Sequence, residues 1–270
     1  MRIERGLVDT PYGYIHYRRA GREHARTVVI SHINQQSSAL MIELLGKLGE
    51  KVQAIAIDYP SCGMSDHVVE QPTLADYAKC VVAVMDAVRV ERATALGEAT
   101  GAFVSAELAA AHAARIDSAV LVNCPYYAEK GASERAHAPL RSNLRPSDVS
   151  GFPLTRTLEF VLEHDAAHAP VNANQSWMDR INVAQLEAGR ERWQPLHALG
   201  AHDLQASLRK AECPVLFMMG EHFHYTQHLP ALRLLVRNGE AEVIPGARFC
   251  VTWSHAQHIA ARTCAFMGIY

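Results

Sequence analysis

The stretch that decides the fold spans residues 93–115 and reads ATALGEATGAFVSAELAAAHAAR. Its first four residues, 93–96, are predicted to form a strand, and its alanine-rich second half is predicted to form a helix ending near Arg115. Between them the sequence GEATG at 97–101 turns sharply, with a glycine at each end. A strand, a tight turn and a helix in direct succession indicate one unit of a parallel sheet.

Similar units flank this stretch on both sides. Short β-branched runs predict buried strands, and Thr73 and Asp76 are spaced like a capping box at the start of a helix. The predicted strands cover 3–9, 13–19, 27–31, 52–57, 93–96, 118–123, 214–219 and 240–244, and further helices are predicted over 40–48 and 73–88 and from about Leu229 and Trp253. This order predicts an α/β fold with a mostly parallel, eight-stranded sheet flanked by helices.

The regular alternation stops between Pro125 and Ala211. This segment is rich in His, Asn, Arg and Pro and contains no clear strand run. Because it is too long for a simple connection, we predict a helical lid inserted over the sheet. The chain is thereby divided into a core of residues 1–124 and 211–270 and a lid of residues 125–210.

Composition excludes several classes of partner. A net charge of -2 gives no field to attract nucleic acid or an anionic membrane, and no apolar run is long enough to span a bilayer. The chain starts MRIER, without the apolar region of a signal peptide, and its six cysteines form no C-x-x-C pair. We therefore expect a cytoplasmic protein with reduced thiols. No Gly-rich nucleotide motif is present, so no cofactor is expected.

Three segments together resemble the α/β-hydrolase superfamily. They are the strand and loop at 29–32 (VISH), the loop at 58–66 (DYPSCGMSD), which is similar to the family's D-x-P-G-x-G-x-S, and the turn at 97–101, which matches the nucleophile elbow G-x-S-x-G except at its centre. The resemblance covers nearly all of the chain outside the predicted lid. It implies an α/β-hydrolase fold with a lid insertion and a site above the carboxyl edge of the sheet.

The resemblance does not extend to the three catalytic positions. The elbow centre, which holds a nucleophile in the family, is Ala99 in this sequence. Counting two positions beyond Gly220-Glu221 places Phe223 where the family has its acid, and counting back from the C-terminal helix places Phe249 where it has its histidine. The resemblance therefore implies that a Ser-His-Asp triad is absent.

Other residues are candidates for chemistry in its place. The Thr100 backbone N–H keeps the oxyanion-hole position, whereas Glu98 is expected to lie under the turn as a structural hydrogen-bond partner. Among fifteen histidines, His32, His224 and His255 are candidate bases or hydrogen-bond donors, although solvated surface roles stay open and no metal site is predicted. The predicted substrate-binding residues are Ile33, Asn34, Gln35, Ala99, Tyr126, Trp177, Phe223 and Phe249.

Three functions remain open at this point. The first, which we favour, is a non-hydrolytic enzyme of lyase, cyclase, isomerase or decarboxylase type, acting on an apolar small molecule that carries a carbonyl group. The second is a small-molecule-binding pseudoenzyme. The third is an ester or thioester hydrolase in which Ala99 was introduced in place of serine by mutagenesis. In each case the partner is a small molecule; the sequence does not define the oligomeric state, and a homodimer stays open.

Overall fold

The computed structural model describes residues 2–68, 70–127, 132, 135 and 155–270, which form an eight-stranded sheet. The strands are β1 (Glu4–Thr10), β2 (Gly13–Ala20), β3 (Thr27–Ser31), β4 (Gln53–Ile57), β5 (Ala93–Glu98), β6 (Ile116–Val122), β7 (Val215–Gly220) and β8 (Gly239–Ile244). They lie in the order β1-β2-β4-β3-β5-β6-β7-β8. The β1–β2 and β2–β4 pairs are antiparallel and the remaining pairs are parallel, which confirms the predicted sheet.

Helices cover both faces of this sheet. They are α1 (Ile42–Leu48), α2 (Leu74–Ala87), α3 (Thr100–Ala111), α4 (Leu158–His164), α5 (Gln175–Ala188), α6 (Gln194–Ala201), α7 (Leu204–Lys210), α8 (Leu229–Leu234), α9 (Val251–Ser254) and α10 (Ala256–Phe266). Successive strand residues point to opposite faces, so Phe217 belongs to the buried cluster that contains side chains of α2, α3 and α8. Met218 belongs to the cluster on the other face, which contains side chains of α1, α5 and α10. Each central strand is buried on both sides, as the β-branched runs predict.

Most predicted boundaries agree with the structure to within two residues. The capping box of α2 is present in both directions between Thr73 and Asp76. Strand β5 continues two residues beyond its predicted end, because Gly97 and Glu98 still pair with β6. The closing helix begins at Val251 rather than near Trp253 and is interrupted at His255, whose backbone leaves the helical region.

Residues 155–210, which make up most of the described part of the predicted lid, lie between β6 and β7 and are called the lid segment below. It consists of α4 to α7 with short 3-10 turns between them. Trp177 and Met178 of α5 pack with the α1 side of the core, whereas Leu208 of α7 packs with α3. Residues 128–131, 133, 134 and 136–154 of the predicted lid are outside the described residues, and the boundaries at 125 and 210 stay predictions.

The described residues contain neither a candidate membrane span nor a candidate metal cluster. None of their helices is both long enough and apolar enough to cross a membrane. No three His, Cys, Asp or Glu side chains among them converge closely enough to hold a metal ion.

Candidate functional site

A strained turn joins β5 to α3 at Ala99. The backbone of Ala99 has φ 52° and ψ -109°, a conformation that favours glycine. Two close approaches enforce this turn: a Cβ on Gly97 would lie 2.1 Å from the carbonyl oxygen of Gly101, and a Cβ on Gly101 would lie 2.0 Å from that of Ser31. Because Thr100 opens α3, its backbone N–H has no acceptor within the helix.

Glu98 lies beneath this turn and is fully buried. Its Oε1 accepts hydrogen bonds from Asn123 Nδ2 and the Val251 N–H, both at 2.9 Å. Its Oε2 accepts from the Thr252 N–H at 3.0 Å and the Thr252 hydroxyl at 2.6 Å. Burial raises the pKa of Glu98, while these four donors act in the opposite direction. The carboxylate therefore joins the ends of β5 and β6 to the start of α9, and it is structural.

The loop after β3 forms one wall beside the turn. Its residue Gln35 has a positive φ of 59°, and the Thr100 hydroxyl donates to Asn34 Oδ1 at 3.0 Å. The Gln36 amide donates to the buried Cys250 sulfur at 3.5 Å, which ties this loop to the turn before α9. The amide side chains are thus partly engaged in holding the loop.

Two stacked phenylalanines, Phe223 and Phe249, form a second wall beside the turn. Phe223 follows β7 and Phe249 precedes α9, and their rings stack with centroids 5.8 Å apart and planes inclined by 22°. Phe223 is buried at 3% exposure, whereas Phe249 is half-buried. These two sequence positions, which the superfamily resemblance associates with an acid and a histidine, therefore contribute an apolar wall.

Between the sheet edge and the lid segment lies a cavity of about 590 Å³. The floor is formed by Ala99 and Thr100, and the lid segment supplies aromatic and aliphatic side chains opposite them. Its lining is Ile33, Asn34, Gln35, Gln36, Ala99, Thr100, Pro125, Tyr127, Arg156, Phe160, Val161, Asp165, His168, Trp177, Ile181, Gln185, Arg192, Trp193, Leu196, Leu199, Phe223, His224, Tyr225 and Phe249. This size and largely apolar lining suit one small organic molecule.

Two exposed histidines in this lining, His168 and His224, define what we call the mouth of the cavity. His168 Nδ1 lies 2.6 Å from Asp165 Oδ1, and the Arg156 guanidinium donates to Asp165 Oδ2 at 3.2 Å. The Asp165 hydrogen bond raises the pKa of His168. Partial desolvation of the His224 ring by the packed Phe223 and Tyr225 rings, and then the neighbouring His168, lower the pKa of His224. The rings of the two histidines are 5.9 Å apart, centroid to centroid.

The model of the Ndr family matches residues 7–236 of this chain. The chain belongs to the Ndr family. The match covers all of the strands except β8 in full or in large part, together with the elbow and the lid segment. No curated protein matches this Ndr-family chain.

Solved structures similar to this Ndr-family chain are α/β-hydrolases. The enol-lactonase from Burkholderia xenovorans LB400 aligns with a TM-score of 0.77 and 18% identity, over 97% of this chain and 100% of that chain. A thermophilic esterase from Thermogutta terrifontis aligns with a TM-score of 0.80 and 14% identity, over 98% of each chain. A haloalkane dehalogenase from Bradyrhizobium elkani aligns at 0.77 and 15%, over 99% and 98%. At these identities the similarity establishes the fold alone.

The structure corrects the predicted place of His32. Its side chain is fully buried and does not line the cavity. Nδ1 lies 2.7 Å from the Ile33 carbonyl oxygen, Nε2 accepts from the Tyr59 N–H at 3.3 Å, and the ring packs on Tyr59 at 4.1 Å. Both ring nitrogens are therefore engaged, and burial lowers the pKa of this histidine. His32 supports the loop from behind.

Two further predicted residues do not line the cavity. His255 is half-buried at the break between α9 and α10, where its Nδ1 lies 2.8 Å from the Ser254 hydroxyl. The Tyr126 ring packs instead on His228, at 5.3 Å, and the next residue, Tyr127, lines the cavity. The other predicted residues all line it, and their functional roles stay predictions: Ile33, Asn34, Gln35, Ala99, Thr100, Trp177, Phe223, His224 and Phe249.

Sequence reasoning missed the acid–histidine pair at the mouth. His168 and Asp165 are three residues apart in the lid segment, and Arg156 precedes α4. The spacing D-x-x-H was available as a signal, since it brings the two side chains together in a single turn. Their approach to His224 depends on the packing of the lid segment on the core, which no local pattern encodes.

Proposed function

We propose that this Ndr-family chain binds an apolar, carbonyl-bearing small molecule in the cavity and acts on it without hydrolysis. The observation that carries the proposal is the stacked pair of Phe223 and Phe249 beside Ala99. In α/β-hydrolases these positions would have to supply acid, base and nucleophile for a covalent intermediate. Benzyl and methyl groups offer neither a lone pair nor a proton, so we infer that no acyl-enzyme forms.

The apolar residues Ala99, Phe223 and Phe249 at these positions also favour the binding of an apolar molecule. Trp177, Ile181 and Leu199 of the lid segment line the same cavity as the two phenylalanine rings. Burial of apolar surface contributes about 25 cal/mol per Å², so such walls favour a ligand with a hydrocarbon or aromatic body. A lyase, cyclase, isomerase or decarboxylase needs this positioning and a proton-transfer group, but no activated water.

A donor for a developing negative charge is retained in this proposal. The strained turn at Ala99 leaves the Thr100 N–H at the floor of the cavity, and the close approaches of Gly97 and Gly101 hold it there. A positioned backbone N–H stabilises an oxyanion whether or not a nucleophile is present. A polar group of the ligand is therefore expected to bind at the Thr100 N–H.

The test compares the protein with its Ala99→Ser variant on 4-nitrophenyl esters and an acyl thioester. We expect no turnover and no burst from either protein, because a serine without histidine and acid stays protonated. Quenching of tryptophan fluorescence by apolar ketones measures binding in parallel, since Trp177 and Trp193 line the cavity. Phe160→Ala is expected to weaken that binding without unfolding the chain, because Phe160 is exposed at 37%.

Each outcome discriminates among the three candidate functions. Esterase activity restored by Ala99→Ser would show that a working histidine and acid are present and would refute the proposal. Saturable binding with no product from any carbonyl substrate would instead indicate a pseudoenzyme. If no member of a broad set of apolar ketones binds, both the proposed enzyme and the pseudoenzyme are contradicted.

A further inference from the structure

The mouth of the cavity contains an acid–histidine pair that the elbow chemistry does not use. His168 Nδ1 is held by Asp165 at 2.6 Å, and Asp165 is in turn held by Arg156 at 3.2 Å. Among the described residues, Nε2 of His168 has no hydrogen-bond partner. A histidine held at Nδ1 by a carboxylate has its tautomer fixed and presents Nε2 as a base.

A second histidine, His224, packs against His168. The rings of His168 and His224 are 5.9 Å apart and inclined by 73°, and both line the cavity. His168 also packs edge-on against Phe249, at 5.7 Å and 86°, so its ring is anchored on the apolar wall. Because the two rings meet edge to face, a carbonyl group and its neighbouring carbon reach both of them from the cavity side, with the apolar remainder of the molecule inside the cavity.

We propose that His168 and His224 form a proton-transfer pair for an enolisable ketone, in which His168 is the general base and His224 donates to the carbonyl oxygen. This inference rests on the proposed function and names the catalytic residues for it. It moves the chemistry from the elbow, where Ala99 is inert, to the mouth. The Thr100 N–H then anchors a second polar group at the floor or a bound water.

The step is balanced without a co-reactant. Nε2 of His168 removes a proton from the carbon next to the carbonyl, and that C–H electron pair becomes the C=C bond of the enolate. The carbonyl π pair moves onto oxygen, where the N–H of His224 stabilises it. Return of the proton to the same carbon exchanges its hydrogen with solvent, and return to another carbon of a conjugated substrate isomerises it.

The surroundings of His168 and His224 shift their pKa values in opposite directions, as a base and a neutral donor require. The Asp165 hydrogen bond raises the pKa of His168, which makes it the stronger base, whereas partial desolvation lowers the pKa of His224, which keeps it neutral and able to donate. The groups that face His168 are Asp165 and Arg156 of the lid segment, His224 after β7, and Cys250, which donates to the His168 carbonyl oxygen at 3.8 Å.

The experiment follows hydrogen–deuterium exchange of 4-phenyl-2-butanone and 2-undecanone in D₂O by NMR. The intact protein is expected to exchange the protons beside the carbonyl above the buffer rate. His168→Gln is expected to reduce the enzymatic rate by about 100-fold, in the range of general base catalysis. His224→Leu is expected to reduce it similarly, whereas His224→Gln retains an N–H donor and restores part of it.

The pH profile separates a positioning role of Asp165 from a merely structural one. The rate is expected to rise with pH as His168 loses its proton. In Asp165→Asn the hydrogen bond that raises the pKa is lost, so the inflection moves to lower pH and the plateau falls. The matched control is His164→Gln. His164 is also a histidine of the lid segment beside a carboxylate, with its Nε2 3.6 Å from Glu163 Oε2, but it does not line the cavity.

The outcomes are distinguishable from those of the proposed function. Tryptophan quenching by either ketone, with exchange at the buffer rate, would overturn the proton-transfer pair and leave ligand binding intact. Exchange that survives in folded His168→Gln would assign the base elsewhere. A uniform loss in His164→Gln as well would show that the lid segment, and not His168, had been disturbed. Circular dichroism and the melting midpoint establish folding of each variant.

Discussion

The buried carboxylate of Glu98 is the most informative residue to perturb. It accepts four hydrogen bonds, from Asn123, the Val251 N–H, and the N–H and hydroxyl of Thr252. Glu98→Gln keeps the size and shape of the side chain but replaces one acceptor oxygen with an NH₂ group. We expect the variant to fold with lower stability, because the new NH₂ group faces hydrogen-bond donors that the carboxylate oxygen previously accepted from.

The magnitude follows from the geometry of each oxygen. With the amide NH₂ at the Oε1 position, two donors are left facing it, from Asn123 and Val251. With NH₂ at Oε2, the Thr252 hydroxyl can rotate to accept, and only the Thr252 N–H is unsatisfied. The second arrangement costs less, and one buried unsatisfied donor destabilises a protein by about 1–3 kcal/mol.

The assay is thermal unfolding followed by circular dichroism. For a chain of this size, 1 kcal/mol corresponds to a shift of the midpoint by about 2–4 °C. The matched control is Glu221→Gln, which also removes a carboxylate that accepts a backbone N–H, from Gly246 at 2.8 Å, but at an exposed site. Equal midpoints for the two variants would refute the reasoning, because burial would then have no effect on the cost.

Three further predictions concern the backbone near the site and the loss of unfolding free energy at acid pH. Gly101→Ala places a Cβ 2.0 Å from the Ser31 carbonyl oxygen, so we expect a loss of about 3 kcal/mol or more, measured as soluble yield and melting midpoint. Ala99→Gly relieves the positive φ of 52° and is expected to raise stability by about 1 kcal/mol in urea titrations; a lower midpoint would contradict the strain. Burial alone would raise the pKa of Asp58, but the hydrogen bond from His16, the nearby His32 and His16 rings and the Ser38 N–H together outweigh it, and the pKa is lowered. Its stabilisation is therefore complete above the ordinary pKa of about 3.9 and is lost as the pH falls below that value, so unfolding free energy measured from pH 6 to pH 2 should fall less steeply in Asp58→Asn.

The fold was accessible from the sequence because its signals are local. The β-branched runs of β3 and β4, the capping box at Thr73, and the GEATG turn each specify their own element. The break at His255 was not, since nothing in the residues around it favours an end to the helix. In the structure the N-terminus of α9 is fixed by the distant carboxylate of Glu98.

The candidate site was accessible where it follows from the superfamily pattern. Ala99, Phe223 and Phe249 were placed by counting along motifs, and all three line the cavity. The count cannot report which way a side chain points, so His32, which immediately follows β3, was expected in the cavity although its ring is turned behind the loop onto Tyr59. The contact of His168 with His224 joins positions 56 residues apart and depends on tertiary packing alone.

The order of the strands also has a consequence for synthesis of the chain. Strand β6 ends at Val122, but β7, which covers its edge, begins only at Val215. While the ribosome adds the intervening segment, β6 presents unpaired N–H and C=O groups and a nearly continuous apolar run, the combination that invites pairing with another chain. Aggregation during expression should therefore be governed by this interval, and a chain truncated before β7 should depend on chaperones more than the full-length protein does.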